Sequence, residues 1–428
     1  MKRIELNIKV RSPLALGTQK PGGSVNEVEE YIPGVVIRGA IASQILQKSH
    51  QQFANLEQNG GEFQTLFLGD RSAIFQNAYP AIAKDGDDYK FVTNEIQVLP
   101  ATAVSSKTNP GFKPKHGVFD TLIDWFWSEQ YHQPYDPSSV GALDEKTDAR
   151  VETYSGFYSQ ENGKYYSHSA SSRFLTRVGI NRRRATSAED ILYSIAVLNE
   201  SFPKNRKSSV VEWEDFVYRS YVVVEDDTLA DKLATFINNN SQIFRLGGSI
   251  SRGLGKVEIQ AKPVKYIDDI STRINKFNQA IKNRLQDWQE AFGKLENNPL
   301  ENKTYFTLDL QSDAILTEDW RRTTVISANM LKEIAGIDAE VDDNLKLHVA
   351  YSSYDYRSGW NAAWGLMKDV ELVTNQGAVY LFSTTQPQPW LEALAKLEQR
   401  GIGDRTCEGY GQVQVCHEFH QVFWENAV

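Results

Sequence analysis

Apolar and polar residues follow the same order of patterns in the two halves of the chain. Segment 4–10, IELNIKV, alternates apolar and polar residues, and segment 304–310, TYFTLDL, has a comparable pattern. A period of two predicts half-buried β-strands. Segments 228–244 and 389–400 instead carry their leucines at helical spacing. Each half is therefore predicted to begin with a strand and to contain an amphipathic helix near its end.

A glycine-rich loop and a short strand follow each of these helices. The loops lie in RLGGSISRGLGKVEI (245–259) and GIGDRTCEGYGQVQV (401–415), and an offset of 156 residues aligns GLGKVEI with GYGQVQV. This repeated order indicates an internal duplication. Walker and Rossmann loops need the opposite order of strand, loop and helix, so neither nucleotide motif fits.

Length and repetition together predict the domain plan. A chain of 428 residues suggests two or three domains. We predict an α+β fold of two ferredoxin-like domains in tandem, at 1–265 and 303–428, joined by a helix in 266–302. The first domain is expected to carry a large insertion at about 81–222, consisting mostly of irregular loops and short helices.

Composition and charge limit the kind of nucleic-acid binding that the chain can support. The chain is 41% hydrophobic and 24% charged, as in soluble globular proteins, and its net charge is −9. That charge argues against a uniformly basic nucleic-acid binder, so any such site must be local. Segment 173–207 has this local character, with eight basic and three acidic residues.

The cysteine content and the N-terminus bear on location and cofactors. The chain has two cysteines, and its start carries no signal-peptide or membrane-spanning pattern. We expect a cytoplasmic protein without membrane contact. A zinc site from Cys407, Cys416 and His417 or His420 is possible, but four closely spaced ligands are typical. We expect no metal and no cofactor.

The glycine loops are candidate RNA contacts. Glycines expose backbone N–H groups and permit left-handed backbone, while arginine supplies a forked, permanently charged donor. The alternative is a tight turn in which the glycines serve geometry alone. The candidate residues are Gly247, Gly248, Arg252, Gly253 and Gly255, with Arg405, Gly409 and Gly411 in the second copy.

Two further segments, 172–194 and 105–120, are candidate RNA contacts because they combine cations with aromatic residues. In the first, a helix is expected to begin at Ser187, with Glu189 and Asp190 in its first turn. For the first segment, the alternative is an exposed basic face that pairs with acids or docks a protein. For the second, the alternative is a loop and core segment without contact to RNA. The candidate residues are Arg173, Arg177, Arg182, Arg183 and Arg184 in the first segment, and Lys107, Lys113, Lys115 and His116 in the second.

Catalysis has little support in the sequence. Seven histidines are scattered without a recognisable catalytic or metal-binding arrangement. His116 or His168, with nearby Lys115 or Tyr166, could act as an acid or base in RNA cleavage. We do not expect an enzyme.

Several motifs in order resemble a known family. The segments IPGVVIRGAIASQIL (32–46) and FLGD (67–70), with the first glycine loop, resemble the RAMP superfamily of CRISPR-associated proteins. GINRRRATSAEDILYS (179–194) and the C-terminal glycine loop are most similar to the RAMP subunit of type III-D effector complexes that caps the 5′ end of the guide RNA.

The resemblance implies RNA-recognition-type βαββαβ domains and a non-catalytic subunit. Such a subunit holds the repeat-derived 5′ tag and contacts the large polymerase-like subunit and the RAMP backbone subunits. Arg38 and Gly39 carry over as the start of the first helix and as candidate RNA contacts. The processing nucleases of the superfamily have a histidine near that helix, where this chain offers only His50. A metal-independent endoribonuclease that processes CRISPR transcripts and a protein-binding scaffold remain as alternatives.

Overall fold

The architecture is known from a computed structural model. It describes the following residues: 1–18, 27–48, 53, 61–85, 88–92, 94–113, 117–139, 148–181, 183–184, 186–204, 211–267, 269–338, 341–361 and 365–426.

The described residues form helices and strands throughout both halves. The α-helices are α1 Gly34–Lys48, α2 Glu62–Phe67, α3 Leu122–Tyr131, α4 Asp227–Asn239, α5 Ile270–Phe292, α6 Ala328–Ala335 and α7 Pro387–Arg400. The strands before residue 266 are β1 Lys2–Val10, β2 Gly17–Thr18, β3 Glu27–Val28, β4 Ile74–Phe75, β5 Tyr79–Pro80, β6 Ile82–Asp85, β7 Asp88–Phe91, β8 Gln97–Val98, β9 Ala103–Ser106, β10 Val118–Asp120, β11 Val151–Thr153, β12 Phe157–Glu161, β13 Lys164–His168, β14 Ser172–Asn181, β15 Thr186–Leu198, β16 Ser201–Pro203, β17 Trp213–Asp215, β18 Val217–Val224 and β19 Val257–Val264. The later strands are β20 Thr304–Leu310, β21 Leu316–Glu318, β22 Arg321–Thr323, β23 Lys346–Tyr351, β24 Tyr354–Arg357, β25 Trp360–Asn361, β26 Leu366–Met367, β27 Glu371–Thr374, β28 Val379–Thr384 and β29 Val413–Val415.

The first large sheet has the antiparallel order β19-β1-β18-β4, and β5 also pairs with β18. Ile4, Leu6 and Ile8 on β1 are fully buried and belong to one hydrophobic core with residues of α1 and α4. The residues between them are less buried. The alternation along β1 therefore reports a sheet whose core lies on one face.

The second large sheet has the antiparallel order β23-β28-β20-β29. Every residue of β28 is buried. Trp127 of α3 and Phe277 of α5 join the hydrophobic core of this sheet, as does Leu394 of α7. The sheet is therefore covered more fully than the first, and its strands lack a clean alternation. In each sheet, the strand that comes first in the chain, β1 or β20, lies between the two strands that come last in the chain. The mixture of helices and antiparallel sheets agrees with the predicted α+β class.

A buried charged cluster ties the C-terminal segment to both parts of the chain. The His420 ring is fully buried, with Nε2 2.7 Å from an Asp309 carboxylate oxygen and Nδ1 3.1 Å from an Asp120 oxygen. Burial lowers the pKa of His420, but the two carboxylates outweigh it and raise the pKa to about 10. The imidazolium is thus held between β10 and β20.

Two predictions about the region from 81 to 222 are wrong. The described part of this range consists mainly of antiparallel strand pairs rather than irregular loops and short helices, with α3 as its helix. Its last residues, from Val217 onward, belong to β18 of the first sheet. The Ser, Pro, Lys and Tyr content there suggested loops, but the Tyr and Val residues of the same range favour strands.

The helix predicted from Ser187 is also wrong. This segment is strand β15, which pairs with β14 over most of its length. The acidic residues after Ser187 resemble a helix start, but Ile191, Tyr193 and Val197 favour a strand once a partner strand is present. The first helix, α1, begins at Gly34 rather than at Arg38. No described helix is long and apolar enough to cross a membrane.

Candidate nucleic-acid interface

The two glycine loops have the same backbone conformation. Gly253 and its counterpart Gly409 have φ angles of 87° and 98°. Each ends a single 3-10 turn, at Ile250–Arg252 and Thr406–Glu408. The offset of 156 residues seen in the sequence is therefore reproduced in the fold of the loops.

The same offset places Glu408, not Arg405, at the position of Arg252. Arg405 instead matches Ser249, and both residues are left-handed, with φ of 57° and 56°. The Arg405 guanidinium pairs with Glu408 and lies 5.2 Å from the centre of the Tyr410 ring. Arg405, a candidate RNA contact in the second copy, therefore does not occupy the position of Arg252, and its charge is paired within its own loop.

The first loop has a closed base and an open tip. A Cβ atom on Gly247 would lie 2.5 Å from the Ala15 carbonyl oxygen, and one on Gly255 would lie 2.5 Å from that of Leu246. These two glycines are required by packing. A Cβ on Gly253 would meet nothing within 4 Å, and Gly248, Arg252 and Gly253 are exposed. The tip is thus the part of this loop that can meet a ligand.

The second loop packs against the first half of the chain. A Cβ on Gly409 would lie 2.7 Å from Asn77 Oδ1, and one on Gly34 would lie 2.9 Å from the Glu408 carbonyl oxygen. A Cβ on Gly411 would overlap the Ile402 carbonyl oxygen at 1.8 Å. Gly409 and Gly411 are buried. The expected contact of these two glycines with RNA is therefore corrected: Gly409 lies at a contact between the two halves, and Gly411 packs against Ile402 within its own loop.

The β14–β15 hairpin brings Arg177 and Tyr193 to the tip of the first loop. Arg177 lies directly opposite Tyr193 in the register, so the two side chains share one face. The Arg252 guanidinium lies 5.1 Å from the centre of the same Tyr193 ring. Within the described ranges, neither Arg177 nor Arg252 forms an ion pair with a carboxylate. Two segments that the sequence suggested separately thus meet at one tyrosine.

The other arginines of the hairpin differ in their surroundings. Arg173 pairs with Glu200 at 2.8 Å. Arg183 and Arg184 are exposed at the turn of the hairpin, and Arg182 lies outside the described residues. The hairpin also exposes apolar side chains, among them Phe174.

The loop that carries Lys107 and Lys113 is not joined to the glycine loops by the described contacts. Lys107 pairs with Glu152, and Lys113 donates to Asn109 Oδ1 at 2.6 Å. Phe112, in the same loop, packs beside Phe419 of the C-terminal segment, with ring centres 6.2 Å apart. Lys115 and His116 lie outside the described residues.

Arg38 and Gly39 lie in the second turn of α1. The Arg38 guanidinium donates to the Phe67 carbonyl oxygen and lies 5.9 Å from the Phe67 ring centre. Gly39 is exposed, and a Cβ there would meet nothing within 4 Å. Arg38 therefore connects α1 to α2, whereas Gly39 keeps an open surface.

A groove beside the second glycine loop was missed at the level of sequence. It has a volume of about 200 Å³ and is lined by Tyr31 and Arg357, among others. Arg357 pairs with Asp313 at 3.0 Å, and Lys368 pairs with Glu408 at 3.0 Å. Burial raises the pKa of Glu408, but Arg405 and Lys368 outweigh it, so that the pKa is lowered. No local motif links these distant positions in the sequence.

Of the two histidines suggested as an acid or base, His168 is described by the structure and His116 lies outside the described residues. His168 is buried, and its Nε2 lies 2.7 Å from Ser159 Oγ. Burial lowers the pKa of His168 to about 4. It is therefore a structural histidine rather than a group that reaches RNA. Among the described residues, no group of three His, Cys, Asp or Glu side chains suits a metal ion.

Comparison with known proteins identifies the family. The model of the RAMP superfamily matches residues 7–258, which is more than half of the chain. The chain belongs to the RAMP superfamily. The matched range begins in β1 and ends in β19, so it contains the exposed glycine loop and the hairpin of this RAMP protein.

Solved structures and curated proteins were also compared with this RAMP chain. A chain from a type III-B Cmr-beta complex bound to cognate target RNA and AMPPnP is 12% identical, with a TM-score of 0.38, and the match covers 91% of this chain and 88% of that chain. Oligomeric Cmr4 from Pyrococcus furiosus is 12% identical, with a TM-score of 0.25 and coverage of 62% and 100%. A Cas6 product complex is 13% identical, with a TM-score of 0.27 and coverage of 48% and 80%. No curated protein matches the chain.

Proposed function

We propose that this RAMP protein is a non-catalytic, RNA-binding subunit of a type III CRISPR effector complex. It holds the repeat-derived 5′ tag of the guide RNA and contacts the large polymerase-like subunit and the RAMP backbone subunits. The observation that carries the proposal is the meeting of Arg177, Tyr193 and Arg252 beside the open tip of the first glycine loop.

The chemistry of this surface suits a single strand of RNA. Arginine pairs with phosphate through a planar, forked donor set. A tyrosine ring provides a stacking face for a base. The exposed glycines let a sugar-phosphate backbone approach the main chain closely. Because the protein as a whole is acidic, with a net charge of −9, binding must be confined to such a local surface.

The finer assignment rests on the sequence motifs. Segments 179–194 and 401–415 resemble the type III-D subunit that caps the 5′ end of the guide RNA. We also propose that the two sheets represent RAMP domains at 1–265 and 303–428. The second domain then serves mainly to support the first, because its glycine loop is used in the contact between them.

The test is binding of a tag-bearing RNA over a series of salt concentrations. Each phosphate contact contributes about 0.7 to the slope of log affinity against log salt for a single strand. We expect Arg252→Ala and Arg177→Ala each to lower that slope by about this amount and to weaken binding about tenfold. Lys396→Ala, which removes an exposed cation of α7, is the control. Arginine variants that match this control in affinity and slope would refute the proposed surface.

The absence of catalysis is tested separately. The purified protein is incubated with repeat RNA in the presence of a chelator, and the RNA is analysed on a denaturing gel. We expect intact RNA. A discrete product that disappears on His116→Ala would instead establish the endoribonuclease.

A further inference from the structure

A second cleft lies between the two large sheets, at the start of β1 rather than near its end. Its volume is about 390 Å³, within the range of about 300–1,000 Å³ that is common for small-ligand sites. Its walls include Arg3 and Tyr221 of the first sheet and Gln311 and Gln412 of the second half. The first glycine loop lies beside the other end of β1, where Val10 pairs with Val257, about 30 Å away for a strand of nine residues.

Two glutamine amides in this cleft have donors without acceptors. Gln412 is only 8% exposed, and its buried Nε2 has no hydrogen-bond partner among the described residues. Gln311 Oε1 accepts from the Val98 N–H at 2.9 Å, which fixes the orientation of that amide. The Gln311 Nε2 is then also buried without a partner in the described part of the chain. An unsatisfied buried donor costs about 1–3 kcal/mol, so the cleft suits a ligand that brings acceptors.

The charges of the cleft disfavour a phosphate as that ligand. Arg3 pairs with Glu95. Arg273 pairs with Asp269 at 2.8 Å and with Glu398 at 2.7 Å. Lys2, Arg219, Lys265 and Glu418 also line the cleft, so five basic side chains stand against four acidic ones. An added phosphate would therefore face acidic groups as well as basic ones. A neutral group with acceptor atoms avoids that repulsion.

The cleft also contains an aromatic wall. Tyr221 lies in β18, and the Arg3 guanidinium lies 3.5 Å from the centre of its ring. Bases stack on aromatic rings and on guanidinium planes, so this pair of flat groups offers a surface on which a base can stack. Glutamine amides then hydrogen-bond to the edge of a base.

We propose that this cleft binds a single nucleobase, with the amide groups of Gln311 and Gln412 donating to acceptor atoms on its edge. One source of the base is a nucleotide of the RNA held at the glycine loop, and this source rests on the proposed function. A free nucleotide is the other source. The ligand chemistry is the same in both cases.

The first arm of the test uses tag-bearing RNAs that each lack one base. For the wild-type protein, we expect removal of one particular base to weaken binding about tenfold. Gln311→Leu/Gln412→Leu should weaken binding of the intact RNA by a similar factor, with no further loss at that position and an unchanged salt slope. Gln279→Leu, at an exposed glutamine of α5, is the matched control. Gln412→Glu, which replaces the donor by an acceptor, is used if the double variant does not fold.

The second arm uses the four free ribonucleosides, observed by saturation-transfer NMR with the full-length protein. Signals that vanish in the glutamine variant but persist in the control support the cleft, even if the protein does not bind RNA. A nucleoside signal with a flat scan of the RNA assigns the site to free nucleotides. The inference is overturned if all RNA positions respond equally in both proteins and no nucleoside signal depends on the glutamines. Loss of RNA binding in Arg252→Ala reports on the proposed function alone.

Discussion

Equivalent glycines in the two loops should respond differently to the same substitution. Gly253 and Gly409 both have left-handed backbone, with φ of 87° and 98°. Replacement by alanine should therefore cost each about 1–2 kcal/mol in backbone strain. The surroundings differ, because a Cβ on Gly253 meets open space, whereas one on Gly409 lies 2.7 Å from Asn77 Oδ1 and 3.0 Å from the Phe75 carbonyl oxygen.

The difference between the two variants isolates the contact between the halves. Overpacking of a close contact costs about 1–3 kcal/mol. Gly409→Ala should therefore lower the free energy of unfolding by about 1–3 kcal/mol more than Gly253→Ala. At about 2–4 °C per kcal/mol, its melting temperature should be about 2–12 °C lower than that of the matched variant.

Thermal unfolding followed by circular dichroism measures both variants under the same conditions. The strain of the left-handed backbone is common to the pair and cancels in the comparison. Equal melting temperatures would mean that Gly409 does not lie close to the first sheet. The assignment of the second loop as a joint between the halves would then be refuted.

Three further predictions concern single residues. The pKa of His420 is raised to about 10, so the stabilising effect of its imidazolium is complete below about pH 6.5 and is lost as the pH rises toward 10. In urea titrations, the free energy of unfolding of the wild type should fall over that range. His420→Gln should be less stable than the wild type, but its stability should depend less on pH. Trp320 is 99% exposed in a hairpin turn, and its φ of 63° is strained for a residue with a large side chain. Trp320→Asn should therefore raise the free energy of unfolding by up to about 1 kcal/mol, whereas Tyr354→Asn on an exposed strand should not. A loss of stability in Trp320→Asn would contradict the strain. Cys416 is fully buried, and burial raises the pKa of its thiol. A thiol reagent should therefore label Cys407 alone in the native protein and both cysteines in urea. Rapid labelling of both cysteines in the native protein would show that the C-terminal segment opens.

Local patterns in the sequence were sufficient for the elements that bury one regular face. The alternation in β1 and the leucine spacing in α4 and α7 predicted those elements correctly, because each packs one face against a core. The glycine offset of 156 residues indicated an internal duplication, and the two loops have matching left-handed positions. Left-handed backbone restricts the residue type at these positions.

Long-range contacts explain what the sequence did not reveal. The segment from Thr186 has the local signals of a helix start, and only its pairing with β14 makes it a strand. Tyr193 was missed as part of the candidate interface for this reason, since its position opposite Arg177 exists only in the hairpin. Likewise, Gly409 looks like Gly253 in sequence, and its different role depends on Asn77 in the other half.

The joint at Gly34 and Gly409 depends on one side chain as well as on main chain. Asn77 Oδ1 accepts a hydrogen bond from the Gly34 N–H at 2.8 Å, and a Cβ on Gly409 would lie 2.7 Å from the same oxygen. A single amide group therefore serves the start of α1 and the second glycine loop together, so a change at Asn77 would disturb both at once.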